Sequence, residues 1–549
     1  MTRLKIRLGS IGIVMLLVMV GCQSSLPAST QAVPADTQAV PADTQAVPTT
    51  QAATAITQDN TIVWAHSTEP RTIDPHISYS GSITRNAINI YESLTRYKYG
   101  TLELEPSLAT EWVVSEDGKS YIFTLREGVK FQDGTDFNAE AVKLSYDRYK
   151  AIGEGQLIAQ YDNAEILGPY QIKINLLQRY IPFIGMTSAL WIVSPTAVEE
   201  HKTAEDPWAK KWFYDHSAGT GPYELVRWDH EQQIIFEAFD DYWRGWEPGT
   251  PLRVIHRVIK EAATQRLLLE AGDVDFAMNM SIDDAQALKD NPEIVIETHD
   301  TLVGFYLKMV TFKGPLQDVR VRRAMQYAFP YPDLLELSNG LWKNLEGPLP
   351  ASLPYAKQYP VEYNLDKARE LLSEAGYPNG GFELTVAVTT GFEVQMRSAE
   401  LLQFALSELG IKLNIVVETF GAIVASWDDP ETTPDISGNF VYPSYPDPDA
   451  ILFDMYPTQF FPPAGGNPNR YSNKEVDNLL LLGQEETDPI LRARIYERIQ
   501  DILVADAPDI FAANPGYIIF YRSRVENYMY HPAHHDTIQF YELRLNPNQ

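Results

Sequence analysis

The 549-residue chain has a single cysteine, Cys22. No internal disulfide can form, and no catalytic thiol exists outside that position. Basic residues are scarce as well: 44 Lys and Arg against 73 Asp and Glu leave a net charge of −29. Such a surface repels phosphates and argues against nucleic acid as a partner. It suits a strongly solvated body without naming a ligand. The apolar run Ile11–Val20 is too short for a comfortable membrane span. HExxH, P-loop, G-x-S-x-G and paired metal-ligand patterns are all missing, so no catalytic residue, no cofactor and no metal site is predicted.

What is present begins with a processing signal. Arg3, Lys5 and Arg7 precede the apolar run, and Gly21-Cys22 follows it. A basic start, a short apolar segment and a small residue before the cut read as a signal peptide over 1–21. A cysteine directly after the small residue resembles a lipobox, which implies cleavage before Cys22 and lipidation of its thiol. A plain signal peptide or an N-terminal anchor is the alternative. From 22 to 58 the chain is low in complexity: TQAVPAD stands at Thr30–Asp36 and Thr37–Asp43 and decays to TQAVPTT at Thr44–Thr50. Proline in every repeat rules out a coiled coil and predicts an extended tether.

Length alone calls for two or three domains. Thr61–Ala65 reads as a strand, and 86–95 as a helix with Tyr91 and Glu92 at its inner edge. Trp112–Val114 and Tyr121–Leu125 flank Asp117-Gly118, a hairpin signal. Asn138 predicts a helix cap, and Gln171–Leu176 alternates as a half-buried strand. Gly219-Thr220-Gly221-Pro222-Tyr223 reads as a structural turn leading into a strand, its glycines taking backbone conformations closed to other residues. Further on, Phe382–Val388, Val394–Leu409 and Ile411–Val417 form strand, helix and strand, a βαβ unit with parallel pairing. Asn364 predicts a cap for a helix that Gly376 ends. Another helix covers about 490–505, and Tyr517–Tyr521 reads as a buried strand.

The stretch Lys313–Tyr331, KGPLQDVRVRRAMQYAFPY, is the most specific. Asp318 can accept from the free amides of a new helix. Val321, Ala324, Met325 and Ala328 make its apolar stripe, with Arg320, Arg322 and Arg323 on the other faces. The string resembles the signature of the peptide- and nickel-type solute-binding proteins of ABC importers. Pro106-Ser107-Leu108-Ala109 with Trp112, GTGPY at 219–223, Tyr242-Trp243 and Gly272-Asp273-Val274-Asp275 match further motifs of that family, in order, across about 60–545. The resemblance implies an α/β fold: a two-lobed periplasmic-binding-protein (Venus-flytrap) clamp with an extra subdomain on lobe one. Lobe I would cover 59–300, with the subdomain at about 100–212. Lobe II would cover 301–512, and 513–549 would return to lobe I. It further implies capture of a peptide or other small solute outside the membrane by a monomer, and delivery to an ABC permease.

The family's ligand loop corresponds to Phe440–Ala450, FVYPSYPDPDA, where aromatic residues and prolines alternate in a stiff, apolar-walled segment. In peptide-binding members an aspartate here pairs with the ligand's ammonium. Ser444 occupies that place. A hydroxyl can hydrogen bond but cannot neutralise a buried ammonium. Either Asp447 or Asp449 takes over, or the ligand is not a free-amine peptide. Expected ligand contacts are Tyr79, Ser80 and Gly81 after the Ile73-Asp74-Pro75 motif, and Trp427, Phe440, Tyr442, Ser444, Tyr445 and Asp447. Oligosaccharide stacking on Tyr442, Tyr445 and Trp427, or a nickel chelate, is the alternative ligand. His531, His534 and His535 form an HxxHH group, either an exposed polar turn or a metal site. A lipid-anchored hydrolase and a receptor-coupled sensor are the rival functions.

Overall fold

A computed structural model describes residues 60–77, 81–153 and 158–547. The expected signal peptide, Cys22 and the repeat tether therefore lie outside the described residues, as do Tyr79 and Ser80. No described helix is long and apolar enough to cross a membrane.

Two sheets carry the structure. In the first, seven strands run in the order Ile294–Asp300, Gly516–Arg522, Phe276–Ala277, Thr61–His66, Arg253–Val258, Gln233–Ala238 and Tyr223–Asp229. Thr61–His66 pairs in parallel with both of its neighbours. A strand covered on both faces reads as a continuous apolar run: Ile62 and Trp64 enter one core with Tyr223, Phe276 and Phe540, while Ala65 enters another with Leu269 and Phe520. The second sheet has five strands, Lys412–Glu418, Glu383–Thr389, Ile436–Val441, Gly304–Met309 and Asp509–Ala513. Glu383–Thr389 and Lys412–Glu418 are parallel, joined by the helix Glu393–Ser407 as the βαβ pattern requires.

A four-stranded antiparallel sheet, Ala109–Val114, Ser120–Leu125, Gln171–Leu176 and Tyr161–Gly168, forms a separate layer. The helix Ala139–Ile152 covers it through Val142, Tyr146 and Tyr149, and Asn138 caps that helix by accepting from Glu140 and Ala141.

The chain passes between the two large sheets twice among the described residues, at 301–303 and at 514–515. Gly516–Arg522 pairs with Ile294–Asp300 along its length and with Phe276–Ala277 on its other side, so the returning strand lies inside the first sheet.

Three local expectations change in the structure. The helix expected over 86–95 spans Gly81–Ile90 instead. Its end is set from outside: the Ile90 carbonyl accepts from Gly221 N at 2.9 Å and from Gln132 Nε2 at 3.1 Å. The glycines of 219–223 serve close approach rather than unusual torsion angles. A Cβ on Gly219 would lie 2.1 Å from the Ile90 carbonyl oxygen, and one on Gly221 2.6 Å. Arg322, expected on an outer face of the helix Val319–Ala328, is 6% exposed. Its guanidinium donates to the carbonyls of Leu316, Gln317, Asp506 and Ala507, closing the C-terminus of the helix Pro489–Asp506. A rigid five-donor fork satisfies orphan carbonyls that water would otherwise take.

Candidate solute-binding site

The loop after Ile436–Val441 leaves the sheet where Gly304–Met309 begins, Gly304 opposite Val441. Phe440 stacks on Phe305 at 4.6 Å and lies near Phe392, which is 48% exposed. Tyr442 points out of lobe II with half its surface exposed. Its ring stacks on His535 at 4.9 Å, a contact between the two lobes.

On the first lobe, His535 belongs to a compact group at the start of the helix Gly81–Ile90. Arg85 Nε donates to Asp536 Oδ2 at 2.8 Å, and a Cβ on Gly81 would lie 3.7 Å from the same carboxylate. Arg85 Nη1 reaches His66 Nδ1 at 3.3 Å. Thr68 N donates to that same nitrogen, so it is an acceptor and the imidazole is neutral. Burial and then the Arg85 charge push the His66 pKa down to about 4. Burial likewise lowers His535, against a smaller opposing effect of Asp536. Burial works to raise the Asp536 pKa, but the Arg85 guanidinium is the largest opposing effect and the carboxyl is held below the usual carboxylate range. The result is an ionised carboxylate, partly open at 23% side-chain exposure, fixed by a nearly buried arginine.

The rest of the loop goes a different way. Tyr445 is buried against the subdomain core. Its hydroxyl lies 2.7 Å from that of Tyr180, and both contact Asp449 Oδ2, at 2.9 and 2.5 Å. Gln484 Nε2 donates to Asp449 Oδ1 at 2.8 Å, and Ile181 N donates to the Gln484 carbonyl at 2.8 Å. Asp447 is gripped by Arg492 through both oxygens, at 2.7 and 2.9 Å. Both acids that might have replaced Ser444 are thus committed inside the protein. Ser444 itself is half-buried. Trp427 stays within lobe II, packed on Ala387 and Ile423, its carbonyl accepting from Arg470 Nη2 at 3.0 Å.

Of the expected contact residues, Gly81 and Tyr442 both lie beside the His535–Asp536 segment, Phe440 packs on Phe305, Tyr445 and Trp427 are buried, and Asp447 is paired with Arg492. His531 and His534 are buried rather than exposed, and no group of three metal-ligating side chains occurs among the described residues. Sequence reasoning missed Arg85 and Asp536. The only available hint was that Asp536 follows His535, because 451 residues separate it from Arg85.

The model for bacterial extracellular solute-binding proteins, family 5 (middle), matches residues 103–461. The chain belongs to that family. It is a solute-binding protein and not an enzyme, of a family that works with ABC permeases outside the cytoplasm. The glutathione-binding protein GsiB of Shigella flexneri is 30% identical over 466 residues, 81% of this chain and 87% of the relative. Helicobacter pylori DppA, solved with the peptide STSA, superposes with a TM-score of 0.77 at 26% identity, covering 88% of this chain and 98% of that one. Campylobacter jejuni NikZ, solved with Ni(L-His), shares the fold with a TM-score of 0.74 at 22% identity, covering 89% and 100%. The structural neighbours are two-lobed binding proteins, and this chain shares their mixed α/β fold.

Proposed function

We propose that this family-5 protein captures a peptide-like solute between its lobes and presents it to the permease by closing over it. Lobe I, over 59–300 and 513–549, and lobe II, over 301–512, act as the two jaws. The observation that carries the reading is Tyr442, half exposed on lobe II, lying against His535 of lobe I beside a partly open carboxylate. An apolar ledge with few polar groups is how solute pockets are lined. Contacts made by both jaws exist only when they are shut, so a solute favours the shut form by the contacts it gains there. GsiB and DppA, named or solved with peptides, support a peptide over a sugar or a nickel chelate. Tyr79, Ser80, Gly81, Phe440 and Ser444 complete the wall in this reading.

The chain works as a monomer, tethered through a lipidated Cys22 and the repeats that follow it. Acyl groups on Cys22 in membrane-fraction protein, read by mass spectrometry, test the anchor; an unmodified thiol sinks it. Titration calorimetry of the purified chain with glutathione, di- to hexapeptides, cello- and xylo-oligosaccharides and nickel tests the ligand. Peptide binding with a smaller radius of gyration in scattering is expected. Silence across all peptides refutes the reading.

A further inference from the structure

The lobes meet at a place where charge is unevenly spent. Asp447 has both oxygens on Arg492, and Asp449 receives Tyr180, Tyr445 and Gln484. Ser444 carries no charge. Asp536 differs from all three. Its Oδ2 takes Arg85 Nε, while no described residue occupies Oδ1. It directly follows His535, whose ring packs against Tyr442 and Tyr517, with Tyr530 packed on Tyr517 in turn. The rings are held in order: Tyr530 lies 5.5 Å from Tyr517, and His535 lies 6.4 Å from Tyr517 and 4.9 Å from Tyr442. A carboxylate with one free oxygen, walled by aromatic faces, is the chemistry that receives a cation: the charge meets its counter-ion and the ring quadrupoles add to it.

We infer that Asp536, on lobe I, receives the primary ammonium of the solute, in place of the loop position held by Ser444. Arg85 is a positioning residue in this arrangement. It fixes the carboxylate and keeps it ionised without reaching the ligand. The neutral state of His66 and His535 leaves Arg85 as the only cation beside Asp536 among the described residues. The net charge of −29 draws a cationic group towards the protein at long range.

The inference rests on the peptide reading above, and its test separates the two. The purified chain is titrated with a tripeptide and with the same tripeptide N-acetylated, which keeps every side chain and removes only the ammonium. On the unaltered chain the acetylated form should bind roughly 10- to 100-fold more weakly, the range for losing a charge-assisted hydrogen bond. In Asp536→Asn the free peptide should weaken by a similar factor, and the two peptides should become equivalent. Equal binding of both peptides by the unaltered chain overturns the inference while leaving the peptide reading intact. So does undiminished discrimination in Asp536→Asn. Failure of both peptides on the unaltered chain overturns the inference, and silence across the whole di- to hexapeptide series overturns the peptide reading with it. The acetylation comparison needs no substitution, so it decides the question even where Asp536→Asn fails to fold with Arg85 left unpaired.

Discussion

Asn514 Nδ2 donates to the Val303 carbonyl at 2.7 Å and so ties together the two strands that pass between the lobes. The same amide reaches the Thr301 carbonyl at 3.1 Å, and Thr301 Oγ1 donates to the Pro515 carbonyl at 2.5 Å. Asn514 also exchanges both backbone hydrogen bonds with Lys343, at 2.8 and 3.0 Å. Both of these carbonyl bonds of the Asn514 side-chain amide are buried, so removing it leaves the Val303 and Thr301 carbonyls without this donor. Asn514→Ala should cost about 1–3 kcal/mol of stability and loosen the set angle between the jaws. Scattering of the ligand-free variant should give a larger radius of gyration than the parent chain. An unchanged radius with unchanged stability would mean the crossing is held by backbone alone.

Tyr442 offers a cleaner separation of binding from folding. It is 51% exposed and its ring contact is with His535 across the lobes. Removing an exposed side chain changes stability by less than about 0.5 kcal/mol, whereas a lost aromatic contact costs about 0.5–1.5 kcal/mol. Tyr442→Ala should therefore melt at the parent temperature and bind peptide roughly 3- to 10-fold more weakly. Tyr442→Phe should bind as the parent does. Loss of melting temperature in the alanine variant would identify Tyr442 as a structural residue instead.

The elements were legible where local rules suffice. Asp318 caps Val319–Ala328 by accepting from Arg320 N, Asn364 caps Leu365–Glu374 by accepting from Lys367 N, and Gly118 turns the hairpin at a φ of 68°. Each depends on residues within a few positions. Arg322 was misread because nothing near it in sequence announces the helix end it closes, 184 residues away. Gly219 and Gly221 were correctly read as structural but for the wrong reason: the crowding comes from Ile90, on a distant segment. The same limit hid the site. Tyr442 stands out in an aromatic loop, but the Arg85–Asp536 pair joins opposite ends of the chain, and no spacing rule reaches that far.

Asp74, in the Ile73-Asp74-Pro75 motif, has a role the sequence did not reveal. It forms a double hydrogen bond with Arg148, at 2.7 and 2.6 Å, and neither side chain is exposed. Arg148 Nη1 also meets His76 Nδ1 at 3.0 Å, so His76 donates from Nε2 to the Trp191 carbonyl at 2.8 Å. The motif thereby pins Ile73–His76 to the helix Ala139–Ile152. Removing one partner strands the other charge in a dry interior, at about 3–5 kcal/mol. Asp74→Ala should lower the denaturant midpoint accordingly, while a paired Asp74→Leu, Arg148→Met variant should recover most of the loss. If the single variant is as stable as the parent, water reaches the pair and the burial argument fails.

Asp449 makes the contact between the subdomain and lobe II depend on pH. It is 2% exposed, and burial together with the neighbouring Asp447 raises its pKa from 3.8 to about 6, against the opposing hydrogen bonds of Tyr180, Gln484 and Tyr445. A carboxyl whose folded pKa exceeds its unfolded value binds the proton more tightly when folded. Its ionisation therefore costs stability progressively as pH rises from about 4 to about 6, and the cost is constant above that. That rise corresponds to at most about 3 kcal/mol. Other groups act in the opposite sense: His66, His76 and His531, kept neutral by burial down to about 4, lose stability for the fold as pH falls from 6.5. The contribution of Asp449 is isolated by difference. Asp449→Asn keeps one acceptor for Gln484 and cannot ionise, so variant minus parent stability should be more positive at pH 7 than at pH 4.5. Denaturant midpoints at half-unit steps measure it. A difference that stays flat across that window would show that Asp449 is ionised throughout and that its three donors outweigh burial. Tyr180→Phe, which removes the 2.5 Å donor but leaves the carboxylate, should shift the inflection upward. That shift ties the titration to this contact between subdomain and lobe II rather than to any other acid in the chain.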